Sequence, residues 1–427
     1  DKYSAVMGDS AGNWTLNFNA TNQLALSSHT EVITTAVFRD PSAWYHIVAG
    51  NGPNSGDGFI YVNGVEQVLS GNTFNTNSGM FRSGTSVNIG QSNNAGYAYE
   101  FPGYIAECIG LYDITKSASD FGEFKNGVWI PKEYTSFTTS QSFYLKFEDA
   151  SDLGNDSSGN NRDFTTYNMG TDHQVLDSPT FSATDGNGGN FCTWNPLQSD
   201  ANLGGATKRA TLSEGNLLAT YDPGNYGQAI GTMGTKTGKF YTEYYINDAG
   251  YPSWAVGWTY SSRFEPYDGN SPAAGVGFLC SMGYFTGTDI YLSEFGNLVT
   301  NPTHPTYSSW TSSGTAPAQG DIIMSAMDFD AGKAWFGKNG EWGNIGSGAG
   351  NPATGANASL TWNAATFSSF HKYPFQLNYQ GGIALNAGQD PTSFGNITAG
   401  GNADDNGFGN FKYDVPAEFL SLCSGNL

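Results

Sequence analysis

Carboxylates, histidines, cysteines and clustered aromatics are the residues of this chain whose spacing bears on chemistry. A retaining glycosidase working from one strand needs Glu-x-Asp-x-x-Glu, since alternate strand residues share a face and nucleophile and acid/base must line one cleft. No glutamate here has an aspartate two residues on, so that mechanism lacks its residues and only carboxylates gathered from separate strands remain. Gly8-Asp9-Ser10-Ala11-Gly12 matches Gly-x-Ser-x-Gly, but a nucleophile elbow requires a strand, a strained turn and then a helix. A strand follows instead, and small residues in a turn account for the match. His29, His46, His173, His304 and His371 are scattered without ligand spacing, which argues against a zinc site or a histidine base. The chain is read as non-catalytic.

Two groups of residues suit binding. Asp149, Asp152 and Asp156, with nearby asparagines, place hard oxygen ligands in one segment, and a structural calcium ion is the one cofactor they suit. Their spacing departs from the EF-hand pattern, and the same residues serve Asx turns, in which the side chain bonds the backbone two residues on. Sugars are held by aromatic faces under their CH groups and by planar amides or carboxylates on their hydroxyls. Tyr260, Arg263, Phe264, Tyr267 and Asp268 supply both kinds of group in a stretch rich in Ser, Pro and Gly, and Trp310 stands in a run of Ser and Thr. These six are the candidate ligand-binding residues. The competing reading is that they pad a sandwich edge or a subunit contact. Trp254 and Trp258 fall on a strand and read as core.

The elements that must position them are strands. The chain has 427 residues, 57 of them glycine, with 15% aromatic and 13% charged side chains, a profile of short strands joined by tight turns. Asn13 to Phe18 alternates polar with apolar residues, Glu31 to Phe38 is rich in β-branched residues, and helical periodicity is nearly absent. Asn63-Gly64 and Asn339-Gly340 each sit between β-prone arms, the strongest short-range hairpin signal. Short helices are expected over 117–124 and 416–422 from their Ser, Asp and Pro start signals. The stretch 343–359 reads as a long loop. A polar run before residue 190 places a boundary near 180, dividing the chain into 1–178 and 179–427. Each strand-rich sheet has an apolar face to cover, so the expected fold is all-β: two antiparallel jelly-roll β-sandwiches in tandem with very little helix.

Other partners are limited by composition. With 17 basic and 38 acidic residues the formal charge is −21, which excludes a phosphate-driven grip on nucleic acid. No run of about 18 apolar residues is present to insert into a membrane. Cys108, Cys192, Cys280 and Cys423 are too far apart for zinc or redox motifs and read as buried thiols.

Val37 to Val48 (VFRDPSAWYHIV), the hairpin FIYVNGVEQV, Val87-Asn88-Ile89-Gly90 and Phe143 to Phe164 resemble the laminin-G-like, concanavalin-A-like jelly roll as it occurs in tailed-phage proteins. Lys239 to Ile246 (KFYTEYYI), Ala255 to Trp258 (AVGW), Gly320 to Asp330 (GDIIMSAMDFD) and KAWFGKNGEW are similar, in that order, to a SPRY-type sandwich. The first domain then lacks the strands such proteins carry ahead of this starting point, so Asp1 reads as an internal residue. What the resemblance implies is a virion structural protein displayed on the particle surface: a tail fibre, appendage or capsid-surface protein. Its partners would be other virion proteins and host-surface glycans, and fibre proteins of this kind imply a homo-oligomer, a trimer above all. Two rivals stand beside it: an architectural virion joint that binds only other virion proteins, and a secreted cellular adhesin.

Overall fold

Both Asn-Gly pairs adopt the left-handed backbone that their hairpins require: Asn63 and Gly64 have φ of 49° and 77°, Asn339 and Gly340 of 53° and 88°. The first closes the pairing of Gly58–Val62 with Val65–Glu66, the second that of Lys333–Lys338 with Glu341–Trp342. The structure is a computed structural model. It describes residues 4–28, 30–41, 43–51, 58–71, 86–94, 97–125, 127–179, 188–197, 207–248, 253–260, 278–285, 290–294, 297–298, 318–343 and 348–427. Strand accounts for 41% and helix for 4% of it, in several antiparallel sheets and no closed barrel. The fold is all-β. Among the described residues no helix is long and apolar enough to cross a membrane.

The chain divides into two units, Asp1–Gln174 and Val175–Leu427. The residues just after this border belong to the second unit because Leu176 donates its N–H to Gln389 O and Asp177 accepts the N–H of Phe191. The border therefore falls slightly ahead of residue 178.

In the first unit a six-stranded antiparallel sheet runs in the order Leu69–Gly71, Thr30–Thr34, Leu24–Ser28, Trp14–Phe18, Ser4–Asp9, Val87–Ile89. Leu16, Leu24, Leu26 and Val32 pack against Ile60 and Val62 of a separate three-stranded sheet. Each such side chain contributes about 1.5–3 kcal/mol by leaving water. The helix expected over 117–124 shrinks to the single 3-10 turn Ala118–Asp120, where Asp120 accepts the N–H of Ser117. Beyond it, Gly122–Lys125 pairs with Val128–Pro131 instead.

In the second unit one strand, Tyr373–Asn386, serves two layers. Along one edge it pairs with Leu218–Ile230, while on the other its residues 373–378 pair with Ser253–Thr259 and its residues 382–386 with Lys239–Asp248. Strands that switch layers in this way make the corners of a sandwich. Trp254, Val256 and Trp258 share an interior with Phe240, Tyr244, Ile246, Ile323 and Met327. Two bonds cross it: Tyr244 Oη donates to Gly257 O at 3.0 Å and Trp258 Nε1 to Ser325 Oγ at 3.2 Å.

The outer face of the Lys239–Asp248 layer is also buried, because Phe411 and Phe419 of the C-terminal segment pack on Tyr241, Met324, Ala326 and Trp335. The helix expected over 416–422 is absent. Leu420–Ser421 forms a parallel ladder with Phe240 and Tyr241, and this long-range pairing overrides the local start signal. The stretch read as a loop over 343–359 contains a folded turn, Pro352–Thr354, capped by Asn351 Oδ1. Trp335 Nε1 holds that turn down through Ala356 O at 2.8 Å.

Candidate functional site

Of the six candidate ligand-binding residues, the structure describes Tyr260, while Arg263, Phe264, Tyr267, Asp268 and Trp310 lie outside the described residues. Tyr260 follows the Ser253–Thr259 strand directly, and that strand is fixed by pairing with Tyr373–Asn386. Its half-buried ring lies 4.9 Å from Phe367 and 5.6 Å from Phe370, tilted against both. Phe367 is buried and ends the short helix Ala364–Phe367, whose start is capped by Asn363 accepting the N–H of Ala365. Phe370, held by its N–H to Phe367 O, remains 46% exposed. The exposed His371 and half-buried Tyr373 continue the surface, with ring centroids 6.4 Å apart.

Beneath this surface the chain buries a lysine. Lys372 is 1% exposed, donates through Nζ to Lys236 O, and stands 5.4 Å from the Phe329 ring centroid. Burial pushes its amine below the ordinary lysine value, while Asp330 pulls the other way. The lysine is thus a structural cation on an aromatic face. What this surface offers a ligand is the exposed Phe370 ring, set against half-buried Tyr260 and buried Phe367.

Two of the three aspartates considered for calcium use their carboxylates on nearby backbone and hydroxyl groups. Asp149 accepts the N–H and hydroxyl of Ser151, and Asp156, which is buried, accepts the N–H groups of Tyr144, Ser158 and Arg162. These bonds outweigh burial and hold the Asp156 carboxyl below its usual value. Asp152 is exposed and contributes its backbone to the turn that starts at Asp149. Among the described residues no group of three or more His, Cys, Asp or Glu is placed to hold a metal ion. The arrangement is that of Asx turns.

Asp9 to Asn13 is a strand-to-strand turn, with Asp9 accepting both the N–H and the side-chain amide of Asn13 at 2.6 Å. The local geometry of a nucleophile elbow is therefore missing at Ser10. His46 accepts the indole N–H of Trp129 through Nδ1 at 3.0 Å, which fixes its neutral tautomer with the proton on Nε2. The Trp129 ring lies against Gly64, where an added Cβ would come within 2.2 Å of it. Cys108, Cys192 and Cys423 are buried free thiols, and burial pushes the first two up to about 12 and about 11.

No family model and no curated protein matches the chain. Solved structures similar to it include the SPRY domain of human HERC1, at 16% identity over 45% of this chain and 96% of that one, with a TM-score of 0.28. Another is the PSpry domain of TRIM65, at 13% identity over 46% of this chain and 89% of that one, with a TM-score of 0.30.

Phe367 and Phe370 were not foreseen as neighbours of Tyr260. The signal present in sequence was the dense aromatic stretch FSSFHKYPF. Strand pairing between residues more than a hundred positions apart is what joins it to Tyr260, and no local pattern encodes that register.

Proposed function

We propose that this protein is a non-catalytic virion-surface protein of a tailed phage that adheres to host-surface glycans through the aromatic surface built on Tyr260 and Phe370. One observation carries the adhesive part: Phe370 is a large aromatic left 46% exposed on a turn fixed by a buried Phe367 and by Tyr260. A side chain held in this way loses little freedom when a sugar's CH face stacks on it. The virion part is supported by the sequence phrases of the laminin-G-like and SPRY-type halves. Other virion proteins and further copies of the chain are the partners this role entails.

The test is a glycan array probed with the full chain and with Tyr260→Ala and Phe370→Ala. Binding to a bacterial surface glycan that weakens about tenfold or more in either variant, about 1.4 kcal/mol, agrees with the proposal. Absence of any bound glycan, or binding indifferent to both variants, contradicts it.

A further inference from the structure

Among the described residues of the second unit, seven side-chain atoms sealed from solvent have no hydrogen-bond partner within the protein, and four of them lie on the paired strands Ser253–Thr259 and Tyr373–Asn386: Trp254 Nε1, Gln376 Nε2, Gln376 Oε1 and Asn378 Oδ1. Their residues are 3%, 0% and 3% exposed. Buried polar atoms are almost always bonded, and one left alone is costly, so a group of them calls for a physical explanation.

Register shows that they are neighbours. Val256 and Ala229 stand directly opposite Gln376 on either side, and Trp254 and Gly227 stand opposite Asn378. Paired residues of an antiparallel sheet point to the same face, and Val256, Trp254 and Ala229 all belong to the sandwich interior. Gln376 and Asn378, two apart on one strand, therefore project into that interior together, with Trp254 directly beside Asn378 and diagonal to Gln376. The facing layer adds Thr242, whose Oγ1 is likewise buried without a partner.

We propose that this part of the interior is a binding site for buried water, held by Gln376, Asn378 and Trp254. The chemistry selects the occupant. Gln376 Nε2 and Trp254 Nε1 only donate, whereas Gln376 Oε1 and Asn378 Oδ1 only accept. A cation leaves the donors unmet and an anion leaves the acceptors unmet; a small neutral molecule that does both meets all four. On the Leu218–Ile230 side the residues opposite the two amides are the small Ala229 and Gly227. Buried waters of this kind make about three hydrogen bonds to groups that lack protein partners.

A crystal structure of the full chain at a resolution that shows ordered solvent tests this directly. The expected result is at least one internal water within hydrogen-bonding distance of two or more of the four atoms. Direct bonds of the four atoms to protein groups, or an interior closed around them with no solvent density, would overturn it. The Gln376→Met variant adds a solution readout, since methionine keeps the volume and drops the amide. A hydrated amide predicts a melting temperature for the second unit that is unchanged or lower. A dry, unbonded amide would instead be relieved by methionine, raising the melting temperature by about 2–4 °C or more, and that rise would overturn the site.

Discussion

Gly340 has φ +88°, and an added Cβ would stand 3.0 Å from the Tyr413 ring. A β-branched residue meets both obstacles, so Gly340→Val is expected to destabilise the second unit by about 1–3 kcal/mol. Calorimetry of the full chain checks this, and a variant melting like the parent would contradict the turn geometry. His46 carries a pH-dependent expectation. Burial holds its imidazole below the ordinary histidine value of 6.5, so the folded unit binds fewer protons than the unfolded chain around that pH. Its stabilising contribution is complete above about pH 6.5 and is lost as pH falls toward the folded value. Protonation also puts an N–H against the indole N–H of Trp129. The melting temperature of the first unit should fall between about pH 7.5 and 5.5, and fall less in His46→Gln, which keeps an acceptor but does not titrate. Equal slopes in the two proteins would refute this role. At this scale the sequence was informative where chemistry is local. Both Asn-Gly turns and the Asx bonds of Asp149 to Ser151 and of Asp156 to Ser158 follow from neighbours within a few positions. The His46 to Trp129 bond spans 83 positions and left no trace in the local pattern.

The C-terminal segment shows how elements are held. Glu243, on the outer face of the Lys239–Asp248 strand, accepts the N–H groups of Lys412 and Tyr413 and the hydroxyl of Tyr241, each at 2.9 Å, and the amide of Asn386 at 3.4 Å. Burial raises its carboxyl above the usual value, and these four donors offset part of that rise. Glu243→Gln turns one acceptor into a donor facing N–H groups, which should cost about 1–3 kcal/mol. Denaturant unfolding of the second unit measures the loss, and proteolysis near residues 410–413 should quicken. Unchanged stability together with unchanged cleavage would mean that the segment is held by Phe411 and Phe419 alone. The two expected helices, one shortened and one absent, make the same point in sequence terms: start signals at Ser117 and Pro416 were present, but strand ladders with Val128–Pro131 and with Phe240 and Tyr241 took the residues that follow. Thiol labelling offers another check on packing. Cys108, Cys192 and Cys423 are buried and their thiolates disfavoured, so labelling of these three should wait for unfolding.

For the whole molecule, charge is the property that governs association. A formal charge of −21 makes assemblies of the chain repel one another at neutral pH, and the repulsion vanishes near the sequence isoelectric point of about 4.3. Light scattering should therefore rise as pH approaches that value and reverse on return to neutrality; a flat profile would show that self-repulsion does not limit association. The all-β class was legible from composition and alternation, whereas the layer-switching strand Tyr373–Asn386 was not, because its two sets of partners are fixed only in three dimensions. The role proposed for the molecule is adhesion without turnover. Its most direct test is to incubate the full chain with purified bacterial surface polysaccharide, following bound protein and newly released reducing ends together, beside the Tyr260→Ala/Phe370→Ala double variant. The account predicts binding by the parent, loss of binding by the double variant, and no reducing ends from either. Release of reducing ends, or binding that survives the double substitution, would contradict it.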